Sequence, residues 1–284
     1  MGHRSATFRG RASASRRRPG TRRGRLTLGL GTWQNDDPQQ CAESVRTALE
    51  TGYRHIDTAQ AYGNEEAVGD GIAAADVPRE EVFLATKVWL DSLADDDVIE
   101  TTEASLDRLG VDAVDLLYVH WPARTYDPGE TLPAFDALRD RGLIDRVGVS
   151  NFTPELIDRA REVLDAPVFA NQVECHPLFD QAELRAYCEA RDIEVVAYSP
   201  LAKGAVFDEP ALSEIAADHD TSAAAVSLAW LRERGVTAIP KATGEAHIAE
   251  NWSSLGVDLD PAELECIDAI DRTERRVDPG FAPW

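Results

Sequence analysis

Four side chains in the first half of the chain have types and positions suited to acid–base chemistry on an oxygen atom. Asp57 ends a short apolar run, and Tyr62 follows shortly after it. Lys87 ends the apolar run Val-Phe-Leu-Ala-Thr-Lys, and His120 ends the run Leu-Leu-Tyr-Val-His. A buried lysine needs a partner, and Asp57, on the expected neighbouring strand, is the obvious one.

This set of residues supports protonation of an oxygen while another group attacks the adjacent carbon. Tyr62 has a reference pKa of about 10, so its hydroxyl keeps a proton at neutral pH and can serve as a general acid. The Lys87 ammonium, kept charged by Asp57, would stabilise the phenolate and lower the pKa of Tyr62 toward the working range. His120 would hydrogen-bond the substrate carbonyl oxygen. None of the four is a hydride source, so a cofactor must supply one.

From residue 26 the chain alternates short apolar runs with longer amphipathic ones. The predicted strands are Leu28–Leu30, His55–Asp57, Val82–Lys87, Leu116–His120, Arg146–Ser150, Ala170–Gln172, Glu194–Tyr198 and Ala238–Pro240. The predicted helices are Pro38–Thr51, Glu65–Ala75, Asp95–Leu109, Thr131–Arg141, Pro154–Leu164, Gln181–Arg191, Thr221–Arg234 and Glu245–Leu255. Parallel strands need crossover helices, so this α/β pattern predicts a (β/α)8 TIM barrel with eight parallel strands. A doubly wound open sheet is the alternative, and Pro261–Asp271 is predicted as an additional C-terminal helix.

In a barrel of this kind the active site lies where the strands end. Every predicted strand from the second to the eighth ends in or beside a polar residue. These residues are Asp57, Lys87, His120, Ser150 with Asn151, Gln172, Tyr198 with Ser199, and Lys241. Folding alone would not require such a set, so the strand ends define a candidate site independently of any family.

Length and charge indicate one acidic domain. The chain has 284 residues, and a barrel needs roughly 250. Its formal charge is −22, although residues 1–25 contain nine arginines and no acidic residue. We interpret residues 1–24 as a disordered basic tail and residues 25–284 as a single barrel catalytic domain. The acidic surface argues against nucleic acid as a partner and favours a halophilic protein of a high-salt cytoplasm.

Other sequence features agree with a soluble cytoplasmic protein. The cysteines lack the close-paired spacing of a zinc or redox site; they are Cys41, Cys175, Cys188 and Cys266. No metal site is therefore expected. No stretch approaches the roughly 20 apolar residues of a membrane span, so no membrane partner is expected either. The arginines at positions 16–18 are not followed by an apolar run long enough for a signal peptide.

Eight motifs, in order from about residue 26 to the C-terminus, resemble the aldo-keto reductase family. They are Gly-Leu-Gly-Thr-Trp33, His55-Ile-Asp-Thr-Ala-Gln-Ala-Tyr62-Gly-Asn-Glu, Leu84-Ala-Thr-Lys87-Val-Trp, Tyr118-Val-His120-Trp-Pro, Gly148-Val-Ser-Asn151-Phe, Asn171-Gln-Val-Glu-Cys-His-Pro, Tyr198-Ser-Pro-Leu and Ile239-Pro-Lys241. The resemblance, which is to the prokaryotic 2,5-diketo-D-gluconate reductase-like branch, implies a catalytic tetrad at Asp57, Tyr62, Lys87 and His120. It also implies reduction of aldehydes or ketones to alcohols with NADPH or NADH.

The resemblance further implies the positions that hold the nicotinamide nucleotide. The implied contacts are Ser150, Asn151 and Gln172 at the nicotinamide carboxamide, Tyr198 stacking on the nicotinamide ring, Ser199 to Gly204 with Leu201 over the pyrophosphate, and Lys241, Glu250 and Asn251 at the adenosine end. Thr32 is a further implied cofactor contact. The family's phosphate-selective pattern has a serine after the lysine and an arginine six positions after it, where this chain has Ala242 and His247. Without the serine hydroxyl and the arginine guanidinium, binding of a 2′-phosphate is weaker. NADPH is the first expectation, and NADH is the alternative.

Three tryptophans just beyond strand ends, Trp33, Trp89 and Trp121, are expected to form walls of the substrate pocket, with core packing as the alternative. The short loop after His120 and the short tail after Arg276 predict a shallow pocket. It would suit small aldehydes, α-dicarbonyls or keto-sugars, in a monomeric enzyme.

Two other classes of function stay open at this stage. A metal-dependent hydrolase would need clustered ligands, and His55-Ile-Asp57 is the nearest pattern. A nucleotide-sensing subunit with the aldo-keto reductase fold and little turnover is the other, although the intact tetrad argues against it.

Overall fold

The computed structural model describes residues 21–22 and 25–284, with side chains described from residue 27 onward. Eight parallel strands form one sheet in which each strand pairs with the next along the chain. They are β1 (Leu30–Gly31), β2 (His55–Asp57), β3 (Phe83–Val88), β4 (Val114–Val119), β5 (Ile144–Ser150), β6 (Val168–Glu174), β7 (Glu194–Tyr198) and β8 (Thr237–Ala238). This sequential order excludes the doubly wound alternative, whose strand order reverses.

The first and last strands join, which closes the sheet into a barrel. The backbone N–H of Gly29 donates to the carbonyl oxygen of Ala238 at 2.8 Å, and that of Gly31 donates to Pro240 at 3.1 Å. Gly31 also forms a parallel bridge with Lys241. Closure removes the free edges of the sheet, and the fold is the (β/α)8 barrel that the sequence predicts.

Ten α-helices accompany the strands in the described part of the chain. They are α1 (Pro38–Thr51), α2 (Glu65–Ala74), α3 (Asp95–Leu109), α4 (Pro128–Asp140), α5 (Pro154–Val163), α6 (Ala182–Glu189), α7 (Pro210–Asp218), α8 (Ala223–Glu233), α9 (Glu245–Ser253) and α10 (Pro261–Asp268). Local caps define several starts: the Asp37 side chain accepts from the Gln40 N–H, and Asp260 forms a capping box with Glu263.

Most of the predicted helices begin or end one to three residues from the observed bounds, and α10 ends at Asp268 instead of Asp271. Two further differences, at α4 and α7, have a clear physical reason. α4 begins three residues earlier than expected, because the Asp127 side chain accepts a hydrogen bond from the Gly129 N–H at 2.8 Å and caps the first turn. α7 was not predicted at all, and it buries Leu212 and Ile215 on one face. The connection between β7 and α8 is therefore helical where a loop was expected.

Alternation along the strands decides which side chains fill the barrel. Side chains two residues apart share a face, so Lys87 points the same way as Phe83, and His120 the same way as Tyr118. The residues that fill the interior are Phe83, Ala85, Leu116, Tyr118, Ala170, Val196 and Ile239. The inward face of the barrel therefore ends in Lys87 on β3 and in His120 just beyond β4.

The interior below these residues is tightly packed. A Cβ at Gly148 of β5 would lie 2.6 Å from the ring of Tyr118, so glycine is required there. Toward the amino end of the barrel, the Arg146 guanidinium lies 4.9 Å from the ring centroid of Phe169 and 5.6 Å from that of Phe83. The barrel is a filled core rather than a pore.

Two segments flank the barrel. Thr21–Arg22, from the part predicted as a tail, pairs antiparallel with Arg25–Leu26 ahead of β1. The rest of the predicted tail, residues 1–20 and 23–24, lies outside the described residues. At the other end the chain continues from α10 to Trp284. Within the described part of the chain, no helix has the length and apolarity that crossing a membrane requires.

Candidate active site

Lys87, at the end of β3, is completely buried, and its ammonium has three acceptors. Nζ contacts the Asp57 carboxylate, donates to the carbonyl oxygen of Thr58 at 2.8 Å, and donates to the Tyr62 hydroxyl at 3.3 Å. Burial by itself lowers the pKa of Lys87, but the attraction of Asp57 and Tyr62 outweighs it, so this pKa lies above its ordinary value. Lys87 is therefore a charged group in the protein interior.

Asp57, at the end of β2, has a second partner besides Lys87. Its Oδ2 accepts a hydrogen bond from Gln172 Nε2 at 2.7 Å, which links β2 to β6 across the barrel. The backbone carbonyl of Asp57 accepts from the Thr32 hydroxyl at 3.1 Å. A buried ion pair needs its remaining lone pairs satisfied, and these contacts do so. Asp57 is thus held rigidly beneath the ammonium.

Tyr62 ends the short helix Gln60–Tyr62, and the chain then turns at Gly63 with φ of 66°. Its ring meets His120 edge-on, with 5.8 Å between ring centroids. Burial raises the pKa of Tyr62 more than the positive charge of Lys87 lowers it, so this pKa lies above its ordinary value. The expectation of a lowered pKa is wrong: Lys87 acts on the pKa of Tyr62 in the expected direction, but burial is the larger effect.

His120 is neutral in this environment. Burial, and then the nearby charge of Lys87, hold the pKa of His120 well below its ordinary value. Its backbone N–H donates to Val88 at 3.2 Å, and its ring lies edge-on to Trp89, 5.0 Å between centroids. A neutral imidazole carries one N–H donor, so His120 can offer a hydrogen bond without adding charge.

These groups lie at the floor of a cavity of about 830 Å³ at the carboxyl end of the barrel. Most of the predicted site residues line it: Thr32, Trp33, Asp57, Tyr62, Trp89, His120, Trp121, Asn151, Gln172, Tyr198, Ser199, Leu201 and Lys241. Four predicted residues do not: Lys87, which lies beneath the floor, and Ser150, Glu250 and Asn251. The three predicted wall tryptophans are all lining residues, and Trp33 is 42% exposed, which excludes a purely core role for it.

The residues predicted to contact the nicotinamide form hydrogen bonds with one another. Asn151, at φ of 65°, accepts from the Tyr198 hydroxyl at 2.8 Å and donates to the His120 carbonyl at 3.1 Å. The buried Ser150 hydroxyl donates to the Gln172 carbonyl at 2.8 Å and accepts from Asn151 at 3.0 Å. Ser150 therefore holds the neighbouring amide in place from behind the cavity wall.

The loop after β7, residues 199–204, crosses one side of the cavity. Its backbone takes up the left-handed conformation at Ser199, Ala202 and Lys203, with φ between 47° and 52°, and Gly204 has φ of 98°. Lys203 reaches out of this loop: Nζ lies 5.3 Å from the ring centroid of Trp33 and donates to the Arg276 carbonyl at 3.2 Å. The loop is thereby connected to the backbone near the C-terminus.

A buried carboxylate, Glu174 at the end of β6, ties the C-terminal segment (residues 274–284) to the site. Its Oε1 accepts from the Arg276 N–H at 2.6 Å, and its Oε2 accepts from the Val277 N–H at 2.8 Å. His176 Nε2 lies 2.9 Å from the same Oε1. Glu174 lies within the motif Asn171-Gln-Val-Glu-Cys-His-Pro, and no role was predicted for it.

The C-terminal segment contributes Val277 to the cavity lining and supports another lining residue, Trp121, from behind. Phe281 and Trp284 pack against Trp121, with 5.3 Å and 5.7 Å between ring centroids. Seven lining residues were not among the predicted site residues: Gly31, Gln34, Ala61, Phe207, Ile239, Pro240 and Val277. Phe207 follows the predicted loop after β7, which was the available signal for it. Val277 lies far from any strand end, so the pattern of strands did not indicate it.

At the predicted adenosine end, Lys241 is exposed beside β8, and His247 is exposed on α9. Glu250 and Asn251 lie on the same helix, where their carbonyls accept from Ser253 and Ser254. Among the described residues no three His, Cys, Asp or Glu side chains come together in a way that could hold a metal.

The fold and this site define a barrel oxidoreductase with an acid–base centre. A sequence model of the aldo/keto reductase family matches residues 27–272, and the chain belongs to that family. Glyoxal reductase of Bacillus subtilis is 38% identical over 248 residues, covering 87% of this chain and 90% of that protein.

Solved structures give the same result. A protein provisionally named 2,5-diketo-D-gluconic acid reductase B has a TM-score of 0.87 and 35% identity, covering 90% of this chain and 92% of its own. An aldo-keto reductase of Bombyx mori in complex with NADP has a TM-score of 0.83 and 34% identity, covering 89% and 91%. The chain is thus an NAD(P)H-dependent oxidoreductase that acts on carbonyl groups.

Proposed function

We propose that this enzyme reduces small aldehydes, α-dicarbonyls or keto-sugars to alcohols with NADPH, with Tyr62 as the proton donor. The observation that carries the proposal is the buried chain of contacts from Asp57 through Lys87 to the Tyr62 hydroxyl, which lies at the floor of the cavity. The name of the relative from Bacillus subtilis, glyoxal reductase, supports small dicarbonyl substrates.

In this mechanism Lys87 stabilises the Tyr62 phenolate that the proton transfer produces. When Tyr62 gives its proton to the carbonyl oxygen, the phenolate that remains accepts from the Lys87 ammonium, 3.3 Å away in the resting state. Asp57 keeps that ammonium charged and aimed. The raised pKa of Tyr62 keeps the hydroxyl protonated before reaction, and Lys87 offsets the cost of ionising it within a buried site.

His120 would orient the substrate. Its lowered pKa leaves a neutral imidazole, which donates one hydrogen bond to the carbonyl oxygen beside Tyr62. A charged imidazolium there would face the Lys87 ammonium, and burial disfavours that state. The three tryptophans form the walls around this position, and a cavity lined by them suits compact substrates.

The residues present fit a nicotinamide dinucleotide. The cavity offers the flat ring of Tyr198, the amides of Asn151 and Gln172, and two lysines, Lys203 and Lys241, that have no carboxylate partner within the described residues. When bound, the reduced nicotinamide ring would supply the hydride. We assign Lys241 to a 2′-phosphate, with NADH use as the alternative because Ala242 and His247 stand where the family has serine and arginine.

Three further properties belong to the proposal. We propose that residues 25–284 work as one catalytic domain, that the enzyme is a monomer, and that it works in a cytoplasm of high salt. The formal charge of −22 supports the last point, since concentrated salt screens self-repulsion. Unfolding in dilute buffer but not in concentrated KCl would support it, and salt-independent stability would count against it.

The decisive experiment is nucleotide oxidation, followed by absorbance, with a small α-dicarbonyl in concentrated KCl. Tyr62→Phe should lose turnover by about 100-fold or more while nucleotide binding persists. Tyr126→Phe is the matched control, because its hydroxyl is buried without a hydrogen-bond partner in the described part of the chain. Tight nucleotide binding with no turnover of several carbonyls would favour the nucleotide-sensing alternative instead. Comparison of NADPH with NADH tests the cofactor assignment.

A further inference from the structure

Asn64 stands immediately before α2, but its side chain does not cap that helix. Asparagine is favoured at such a position because its side-chain oxygen can accept from an N–H group of the first turn. Here α2 begins at Glu65 with no bond from its first turn to the Asn64 side chain. Asn64 is buried, and its amide makes three hydrogen bonds outside the helix. The side chain therefore serves the loops around the site and not the helix.

Two of these bonds hold both ends of one tight turn. The Asn64 amide nitrogen donates to the carbonyl oxygen of Thr32 at 2.8 Å and to that of Asn35 at 3.2 Å. The turn itself is closed by the Asn35 N–H, which donates to the Thr32 carbonyl at 3.1 Å. Its two central residues, Trp33 and Gln34, both line the cavity. We call this element the Trp33–Gln34 turn, and Asn64 holds it from outside the cavity lining.

The backbone of this turn depends on contacts from its surroundings. Gln34 has φ of 57°, in the left-handed region that residues other than glycine seldom occupy. Such a conformation persists where neighbouring contacts hold it. Thr32 is also attached to β2, because its N–H and its hydroxyl each donate to the Asp57 carbonyl at 3.1 Å. Without the Asn64 amide we therefore expect the turn to loosen at Asn35 while Thr32 stays attached.

The third bond of Asn64 closes the segment that carries the proposed acid. Its Oδ1 accepts from the Thr58 hydroxyl at 3.0 Å, so the two ends of the segment around Tyr62 are tied together. The Thr58 carbonyl accepts from Lys87 at 2.8 Å. Chemistry fixes the orientation of the amide: carbonyl oxygens only accept, so the NH₂ group must face the turn and the oxygen must face the hydroxyl. One side chain thus joins the Trp33–Gln34 turn to the segment of Tyr62.

We propose that Asn64 is a positioning residue that fixes the Trp33–Gln34 turn relative to the Tyr62 hydroxyl and thereby limits the size of the substrate. Its NH₂ group holds the turn, and its oxygen holds the segment of the acid. A wall fixed in this way favours compact carbonyl compounds, because it keeps them against the acid and leaves less room for bulky ones. This inference rests on the proposed carbonyl reduction and adds a residue that does not line the cavity.

The test separates the two halves of the amide by kinetics with saturating nucleotide at one fixed KCl concentration. Asn64→Asp keeps the oxygen that accepts from Thr58 and loses both donors to the turn. It should raise KM for methylglyoxal by roughly 5- to 30-fold, the range of one or two lost hydrogen bonds, and change kcat less than about 3-fold. The preference for methylglyoxal over the bulkier naphthaldehyde, as a ratio of kcat/KM, should fall by about the same factor.

Thr58→Val removes the bond to the other half of the amide and leaves the two donors in place. It should lower kcat more than it raises KM, because it loosens the segment of Tyr62 and not the turn. Asn64→Ala removes both halves without burying a charge, so it should show both defects. It also keeps the proposal testable if Asn64→Asp does not fold.

Fluorine NMR of protein labelled with fluorotryptophan gives a readout that needs no turnover. The resonance that is absent from Trp33→Phe belongs to Trp33. In Asn64→Ala this resonance should shift toward its position in the unfolded protein, because the turn loosens, whereas that of Trp230, which is buried on α8, should stay in place. In Thr58→Val the Trp33 resonance should also stay in place.

Ser222→Ala is the matched control, because it removes a polar side chain that stands immediately before a helix and does cap it. The Ser222 oxygen accepts from the Ala225 N–H at 3.2 Å, at the start of α8. This variant should change neither KM nor the Trp33 resonance. An equal rise in KM for both aldehydes in the Asn64 variants would overturn the proposal, and so would an unchanged Trp33 resonance in Asn64→Ala.

Failure of this inference is distinguishable from failure of the proposed function. Turnover of methylglyoxal by the wild type tests carbonyl reduction by itself. The fluorine spectra test the position of the Trp33–Gln34 turn even in a protein without turnover. Normal turnover in the wild type with an unmoved Trp33 resonance in Asn64→Ala would refute the role of Asn64 and leave the proposed function intact.

Discussion

Replacement of Glu174 by glutamine should release the C-terminal segment from the barrel. The carboxylate accepts from the Arg276 N–H at 2.6 Å and the Val277 N–H at 2.8 Å, and it contacts His176 at 2.9 Å. Glutamine has the same shape, but one of its terminal atoms is an NH₂ group that cannot accept. At least one of the two backbone N–H groups therefore loses its acceptor.

The size of the effect follows from these contacts. A hydrogen bond to a charged group contributes roughly 1.5–3 kcal/mol, and an unpaired buried donor costs about 1–3 kcal/mol. Because both figures describe the same lost bond, they are not added, and we expect Glu174→Gln to weaken attachment of the segment by about 1.5–3 kcal/mol. This corresponds to an opening equilibrium shifted by about one to two orders of magnitude, since about 1.4 kcal/mol is tenfold.

Hydrogen exchange measures this directly. The amides of Arg276 and Val277 should exchange faster in Glu174→Gln by that factor, whereas amides of β3 and β4, in the barrel core, should change much less. KM for the carbonyl substrate should rise, because Val277 leaves the cavity wall and Trp284 loses its contact with the lining residue Trp121. Glu162→Gln is the control: its carboxylate is exposed and pairs only with Arg159, so it should have little effect.

Unchanged exchange at the two amides would refute the argument that the carboxylate holds the segment. Faster exchange with an unchanged KM would refute the further step, that this segment forms part of the substrate site. Faster exchange everywhere would mean that Glu174 stabilises the whole barrel instead.

The remaining predictions concern the buried ionisable groups and the packed interior. Lys87→Met leaves the Asp57 charge buried without its partner, so the free energy of unfolding should fall by about 3–5 kcal/mol in denaturant titration, and turnover should be lost. The pKa of His120 is lowered in the folded protein. Below about pH 6.5 this imidazole therefore binds a proton in the unfolded chain but stays neutral in the folded protein. The stability contributed by His120 is therefore lost as pH falls below that value, and the slope of stability with pH should be smaller in His120→Asn. Gly148→Ala places a Cβ 2.6 Å from the Tyr118 ring, and this should destabilise the barrel by about 1–3 kcal/mol or more.

Each of these predictions has an outcome that contradicts it. Wild-type stability in Lys87→Met would mean that the ion pair with Asp57 is not what keeps the carboxylate in place. Equal pH slopes in the wild type and His120→Asn would show that the imidazole is not held neutral. For the glycine, Gly256→Ala is the control, because a Cβ there meets nothing within 4 Å. Equal effects at both glycines would remove the packing explanation.

Elements with local end signals were predictable from sequence. The predicted bounds of β2, β7, α1 and α3 are those observed, because an apolar run or a capped amphipathic run defines each of them. β1 and β8 were misplaced by one or more residues, since their extent depends on pairing with each other across most of the chain. α7 was missed because the prediction followed one helix per strand, and nothing in that alternation indicates an extra helix.

The site divides in the same way. The period of two along each strand and the shared direction of parallel strands place Asp57, Lys87 and His120 at one end of the barrel, and these follow from sequence. The role of Glu174 does not, because its partners Arg276 and Val277 lie 102 and 103 residues away in the chain.

The sequence alone therefore determined the residue types at the strand ends. It also determined the acid Tyr62, the cation Lys87 beside it, and the carboxylate of Asp57 that pairs with that cation. The closed C-terminal wall and the direction of the Tyr62 pKa were decided only by the tertiary structure. The physical reason is burial for the pKa and hydrogen bonding between distant parts of the chain for the wall. A pKa depends on how much water and charge surround the group, and the wall depends on one carboxylate meeting backbone N–H groups from the far end of the chain.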